Sequence, residues 1–317
     1  MDRLLAEGLW QLDALLGGYE DVNAVFLVLG PRPCLVETGP QLAAATVRAA
    51  LGRHGLGPTD LRWVVLTHIH LDHGGGAGEI AAAFPRATVL CHPRGARHLA
   101  DPGRLVAAAG VVYGPALDTL YGRMTAVPQD RIAAAEDGRR VDLGGGRWLR
   151  CIHSPGHAKH HLAVLDERTG VLLAGDAVGV QIPGGGPLRP STPPDDFDRD
   201  QAVGSLHRFA QLRPSQLVLT HFGPAGDPEA VLVAAEERLR GWCDAAEAAF
   251  AEDHGLDHIV RALRLRVAAE GGPPVAPERE RVVQLMSGAR SNAAGLRGWL
   301  QRRAAAGSGA AAGIPAG

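Results

Sequence analysis

Residues Thr67–Gly76 read THIHLDHGGG and follow directly on the apolar run WVVL at 63–66. Three histidines and an aspartate fall between His68 and His73, and three glycines come next. An apolar run of this length reads as a buried strand, and a strand end holds side chains on a rigid support. The glycines let the backbone turn tightly so that a short helix starts beside the histidines. On such a turn His68 and His70 project to one side, while Asp72 and His73 face a second point. Imidazole nitrogen with carboxylate oxygen is a donor set that suits zinc, iron or manganese. The competing reading, surface histidines without a role, has to explain why H-x-H-x-D-H is packed so densely.

These four groups are too few to enclose two cations, and the chain offers three more at the ends of apolar strands. His157 lies in SPGHAKHH, Asp176 ends VLLAGD, and His221 ends QLVLTH. Taken alone, each is an ordinary cap or a hydrogen-bonded loop residue. Together with the first cluster they complete a ligand set.

Outward from this stretch, the chain alternates short apolar runs with helical patterns as far as about residue 225. VNAVFLVL (22–29) and CLVETG (34–39) flank the turn GPRP as a hairpin. Residues 41–55 read as a helix closed by Gly55, residues 79–84 as a short helix, and ATVLCH (87–92) as a buried strand. Residues 94–138, helix-like pieces broken by glycine and proline, read as a lid or insertion. Two strands flank the glycines of RRVDLGGGRWLRCIH (139–153), and a second pair turns at Glu167–Gly170. The proline- and glycine-rich stretch 181–196 is a surface loop. Asp198 caps a helix with Ala202, Leu206, Phe209 and Leu212 at helical spacing. QLVLTH is the last strand in this reading.

Strands in two groups with helices between them give an α/β class with a layered body over residues 1–227. Residues 229–251, 256–269 and 278–303 read as three helices, so 228–303 forms a helical C-terminal appendage. Residues 304–317 read as a disordered, low-complexity tail. Leu256, Ile259, Val260, Leu263 and Val267 make an apolar stripe that suits docking on the chain itself or a homodimer contact.

The 317 residues carry 32 Lys+Arg against 34 Asp+Glu, a net charge of −2. That balance gives no electrostatic case for nucleic acid or for a membrane surface as partner, and leaves a small molecule as the expected ligand. No window approaches the roughly 18 apolar residues of a membrane span. The N-terminal stretch has acidic residues within its apolar run and reads as no signal peptide. Cys34, Cys91, Cys151 and Cys243 are scattered without a C-x-x-C pair, as buried thiols in a reducing compartment would be, so the cytoplasm is the expected location.

THIHLDHGGG, SPGH, AGD and LTHFGP, in this order over about 200 residues, resemble the successive signature segments of the metallo-β-lactamase superfamily. The resemblance implies a four-layer αββα sandwich with its site at one edge between two sheets. It also implies two divalent metal ions, zinc above all, with iron and manganese as alternatives. His68, His70 and His157 would bind the first, Asp72, His73 and His221 the second, and Asp176 would bridge them. A pair of cations about 3.5–4 Å apart lowers the pKa of a shared water toward neutrality, so hydroxide would attack a small ester, thioester or lactone. Asp72 is the candidate for orienting that hydroxide and passing its proton to the leaving group. One departure stands in VETG, where Glu37 occupies a position at which the superfamily usually places an aspartate that supports a ligand from behind.

Several branches resemble the chain in different ways. Glyoxalase-II-like thioesterases carry helices after the last histidine, but hold glutathione with a lysine-bearing motif, and no lysine follows Lys159. Arg279, Arg281 and Arg290 are the candidate substitutes. Lactonases often hold the carbonyl with a tyrosine, for which Tyr113 and Tyr121 qualify unless they pack in the insertion's core. Lys159 is a candidate contact for an anionic substrate group. His160 and His161 read as supports or loop residues. The rival of another class is a persulfide-dioxygenase-like oxidoreductase with a single iron.

Overall fold

The computed structural model describes residues 2–311. Its first sheet contains β1 (Arg3–Ala6), β2 (Leu9–Asp13), β3 (Ala24–Val28), β4 (Cys34–Val36), β5 (Trp63–Val65), β6 (Thr88–Cys91) and β7 (Ile132–Ala134), side by side in chain order. Neighbours are antiparallel from β1 to β4 and parallel from β4 to β7. The parallel steps are crossovers over helices α1 (Ala44–Arg53), α2 (Leu71–Gly74), α3 (Ala77–Ala83), α4 (Pro93–Ala100), α5 (Gly103–Tyr113) and α6 (Ala116–Leu120).

The second sheet contains β8 (Arg140–Gly144), β9 (Arg147–His153), β10 (Leu162–Asp166), β11 (Val171–Leu173), β12 (Gln216–Leu219) and β13 (Gly223–Pro224), again in spatial order. Only the β11–β12 step is parallel, and α7 (Arg199–Leu212) lies in that crossover. The chain continues as α8 (Pro228–Glu252), α9 (Leu256–Glu270), α10 (Pro277–Ser287) and α11 (Ala289–Ala311).

Three apolar clusters make the layers. Phe26, Val36 and Val65 of the first sheet meet Leu149, Leu162, Val164 and Val218 of the second, so a core lies between the sheets. Val47, Leu51 and Ile80 of α1 and α3 pack on the outer face of the first sheet through Leu12, Leu27 and Val64. Leu206 and Phe209 of α7 and Trp242 of α8 pack on the outer face of the second through Leu172, Leu217 and Leu219. The result is the expected αββα sandwich, because each sheet has two apolar faces and each helix a single stripe to bury against them.

The C-terminal helices share the second sheet's outer core. Ile259, Val260 and Leu263 of α9 and Leu296 and Trp299 of α11 belong to the same cluster as Trp242. The α9 stripe is therefore spent on its own chain. Among the described residues no helix is long and apolar enough to cross a membrane, and all four cysteines are buried and free.

Five local features differ from these expectations. The first residues form the β1–β2 hairpin at the sheet edge. The 94–138 segment is more than an insertion, since its last piece, β7, pairs with β6 as an edge strand. The single helix expected over 278–303 is two, broken at Gly288, where an added Cβ would lie 2.2 Å from the Gln284 carbonyl oxygen. α11 then runs on to Ala311, since an alanine-rich sequence has high helix propensity; the rest of the expected tail, 312–317, lies outside the described residues. A short strand, β13, also follows QLVLTH.

Candidate metal centre

The seven residues singled out by the sequence meet at one edge between the sheets. Thr67–Leu71 leaves β5, α2 carries Asp72 and His73, and His157 lies in the loop between β9 and β10. Asp176 follows β11 and His221 follows β12. Two hydrogen bonds bind these loops across the sheets: Leu162 N–H donates to the Thr67 carbonyl (2.7 Å) and Ala24 N–H to the Thr220 carbonyl (2.9 Å). Two motif glycines are required by close approach. At Gly175 (φ 55°) a Cβ would lie 2.6 Å from His161 Nε2 and 2.9 Å from Thr67 Oγ1. At Gly156 (φ 132°) it would lie 2.3 Å from the Ala202 backbone, which is why SPGH can pack under α7.

The donors form two groups. His70 Nδ1 lies 3.0 Å from His68 Nε2 and 3.1 Å from His157 Nε2. Asp72 Oδ2 lies 3.3 Å from His221 Nε2 and 3.6 Å from His73 Nε2. Asp176 stands between them, its Oδ2 3.7 Å from His157 Nε2 and its Oδ1 3.4 Å from His73 Nε2 and 3.6 Å from His221 Nε2. In each triad one ligand atom from every residue falls within 4.8 Å of the others.

The surroundings decide which nitrogens face inward as lone pairs. His157 Nδ1 lies 3.1 Å from the Ser191 carbonyl and His221 Nδ1 2.8 Å from the Val22 carbonyl. A carbonyl only accepts, so each Nδ1 carries the hydrogen and each Nε2 is free to ligate. His73 Nδ1 donates to Glu37 Oε1 at 3.0 Å. The Thr67 hydroxyl donates to the same Glu37 oxygen and so accepts from His68 Nδ1 at 3.0 Å. Glu37 thus supports both groups, and its longer side chain reaches His73 without a gap. Its backbone adopts a left-handed φ of 66° to do so.

A cation fits this arrangement. His73 Nε2 and Asp176 Oδ1 are buried with no hydrogen-bond partner, and lone pairs converging at about 3 Å repel unless a cation or proton lies between them. Burial, then the neighbouring imidazoles, holds His68 well below its ordinary value. Burial and His157 lower His70 to about 4. Burial would raise Asp72, but His73 and His221 outweigh it and hold it at about 2. Burial opposes protonation of His73 and His221 as well, yet Asp176 and Asp72 raise both. The metal-free centre therefore recruits protons where a cation would sit, and loading it would displace them.

His161 accepts the Asp176 N–H on Nε2 (3.1 Å) and contacts Ser154 Oγ through Nδ1 (2.8 Å), so it positions Asp176 and does not ligate. Thr67 and Thr220 were not singled out in the sequence, although each directly precedes a histidine of the set; Thr220 Oγ1 lies 3.5 Å from Glu37. Asn23, which holds the Asp72 carbonyl at 3.0 Å, has no sequence signal.

A cavity of about 450 Å³ opens over Asp72, His157 and Asp176 and is walled by α5, the 191–196 loop and Met286 of α10. Tyr113 lines it, whereas Tyr121 is buried in the core beneath. Arg279, Arg281 and Arg290 do not line it; Arg279 bonds the Glu20 carbonyl (2.9 Å) and Arg290 pairs with Asp257 (2.7 Å). Lys159 is paired with Asp196 at 3.1 Å. A larger groove of about 650 Å³ between α7 and α8 holds none of the candidate ligands.

An αββα sandwich with paired His and Asp clusters at the sheet edge defines a metal-binding class of protein. Residues 17–221 match the family model of the metallo-beta-lactamase superfamily, and the chain belongs to that superfamily. It is 32% identical over 166 residues to a metallo-beta-lactamase fold-containing protein of Sulfurisphaera tokodaii, a match covering 51% of this chain and 61% of that protein. The chain thus spans about three fifths of that relative's length. It is 30% identical to a probable metallo-hydrolase of Bacillus subtilis (63% of this chain, 80% of that one). To a hydroxyacylglutathione hydrolase of Cupriavidus taiwanensis it is 32% identical (53% and 52%). The solved structure of a metallo-beta-lactamase superfamily protein from Sulfolobus tokodaii superposes with a TM-score of 0.67 at 24% identity, covering 93% of this chain and 98% of that one.

Proposed function

We propose that the protein is a dinuclear metal-dependent hydrolase of a small ester, thioester or lactone. The observation that carries this reading is the Asp176 carboxylate, one oxygen toward His157 and the other toward His73 and His221. In this reading His68, His70 and His157 hold one divalent cation, Asp72, His73 and His221 a second, and Asp176 spans both. Zinc suits the donors best, and iron or manganese share them. When bound, the pair supplies Lewis acidity and a water acidified toward neutral pH.

The protein's own groups do the rest. Asp72 is partly open to the cavity, its side chain 18% exposed. It is therefore placed to take a proton from water and hand it to the leaving group. Glu37, Thr67 and the Ser191 and Val22 carbonyls fix the ligand tautomers, so no rearrangement is needed during reaction. Tyr113 lines the same cavity and is the candidate to hold a bound carbonyl. The hydrolase names of two relatives support this class. The single-iron oxidoreductase reading leaves the Asp72, His73 and His221 group without a purpose.

Metal analysis of the reconstituted protein, with a screen of thioesters, lactones, esters and phosphodiesters, tests the proposal. The expected result is about two divalent ions per chain with ester, thioester or lactone turnover, and Asp72→Ala losing turnover together with metal from the second group. One iron per chain with oxygen uptake overturns it, as does full turnover in Asp72→Ala.

A further inference from the structure

Helix α5 turns one face to the cavity: Arg104, Leu105, Ala108, Ala109 and Tyr113 all line it. Positions three or four apart share a helix face, so this is a continuous stripe with a cation at one end and a phenol at the other. At 1.5 Å rise per residue the two ends lie about 13 Å apart along the axis. Tyr113 is at the metal end, close enough for the charges of Asp72 and Asp176 to act on its hydroxyl. Arg104 is at the opposite end of the helix, near His98. Between them lie methyl groups, with Met286 also on the lining.

Arg104 is the only guanidinium of the cavity lining, and among the described residues it makes no hydrogen bond or ion pair. The nearby groups do not neutralise it. Asp196 is taken by Lys159 at 3.1 Å. His98 is held below its ordinary value, mainly by burial, and Arg97 and Arg104 lower it further. Among the described residues of the lining, Asp195 is the one carboxylate that is neither paired nor a candidate ligand, and its charge disfavours a doubly charged phosphate more than a monoanion.

Resting on the hydrolase reading, we propose that the substrate carries a carboxylate at the end of a short hydrocarbon segment, and that Arg104 receives it. The hydrocarbon runs along Leu105, Ala108, Ala109 and Met286, and the scissile carbonyl reaches the metal end beside Tyr113. A planar guanidinium grips a carboxylate with two parallel N–H bonds. The specificity of the site is then set by α5, the helix of the segment that the sequence shows only as broken helical pieces.

The test is calorimetric binding to the zinc-loaded protein of unbranched diacids from succinate to suberate, each compared with the hydroxy acid of equal length. The best diacid is expected to bind about ten-fold or more tightly than its hydroxy acid, the value of one charged hydrogen bond. Arg104→Gln should bring the two within about two-fold and leave the hydroxy acid unchanged, and Arg104→Lys should restore part of the preference. No diacid preference in the wild type, or a preference that survives Arg104→Gln, overturns the assignment. So does tighter binding of 6-phosphohexanoate than of adipate. Turnover of neutral phenyl hexanoate, followed in the same preparations, needs the metal centre and not Arg104. Its absence in the wild type would sink the hydrolase reading alone, because the binding comparison does not depend on catalysis.

Discussion

Replacing Glu37 by glutamine changes no volume and removes one charge, so it isolates what the carboxylate does. Glu37 is completely buried and receives four donors, of which the Thr220 hydroxyl, 3.5 Å from Oε1, is the longest. His73 Nδ1 (3.0 Å) and the Thr67 hydroxyl reach Oε1, and the Thr67 amide reaches Oε2 at 3.2 Å. A glutamine offers one accepting oxygen and one NH2. With the oxygen in the Oε1 position, the NH2 faces the Thr67 amide donor to donor. Turned the other way, it opposes both His73 and Thr67 Oγ1. The first arrangement is the cheaper, and it leaves one buried amide unsatisfied at a cost of about 1–3 kcal/mol.

His73 also loses its anionic acceptor and with it part of the preference for the tautomer that keeps Nε2 free. Loss of such a supporting carboxylate weakens metal binding by about 10–100-fold. Two assays separate the effects: urea unfolding of the chelated protein reads the hydrogen-bond loss, and competition with a chromophoric chelator reads the affinity. Both should move, and Glu37→Asp should rank between the wild type and Glu37→Gln in affinity, since it keeps the charge but retreats from His73. A Glu37→Gln protein with unchanged stability and unchanged affinity would refute the view that the buried carboxylate orients the ligands.

Trp242→Ala should cost about 3–5 kcal/mol by urea denaturation, because the ring is fully buried in the cluster that joins α8 and α9 to the second sheet and its Nε1 donates to Glu270 (3.1 Å). The shared core also predicts one cooperative transition for the whole chain, and separate melting of the C-terminal helices would count against it. Away from the metal centre, His92 is lowered to about 4 by burial, then by His153 and Arg94, while its Nδ1 accepts the Arg94 N–H (3.1 Å) as the cap of α4. With a folded value below the unfolded one near 6.5, the neutral ring's contribution is complete above pH 6.5 and is lost as pH falls toward 4. An NMR titration of His92 with a midpoint at or above 6.5 would contradict this.

What the sequence discloses about the site follows from where side-chain identity is informative. His68, His70, Asp72 and His73 are joined by the chain itself, so their proximity is covalent and legible. His157, Asp176 and His221 could be paired with them only because each follows an apolar strand within a few residues, and parallel or adjacent strands that end at one edge bring their ends together. Elsewhere the local pattern is too weak. β7 is the three residues Ile132–Ala134, too short to show alternation, and it becomes a strand only because β6 offers an unpaired edge. The break at Gly288 is equally silent, because a glycine inside a periodic pattern is tolerated as often as it bends a helix. Its consequence is long-range: α11 swings so that the Asn292 side chain accepts the Thr192 N–H at 2.7 Å, tying the cavity loop to the last helix.

The groups that set the ligand chemistry are hidden for a deeper reason. His157 and His221 owe their tautomers to the carbonyls of Ser191 and Val22, and every residue has a carbonyl. No substitution at those positions short of a backbone shift would remove the acceptor, so no choice of side chain marks it. Only supports that act through side chains, such as Thr67 and Glu37, leave a trace, and that trace sits next to the ligands or across one strand pair from them. The donors of a metal site can thus be read from one sequence, while the orientation that makes them donors belongs to the fold.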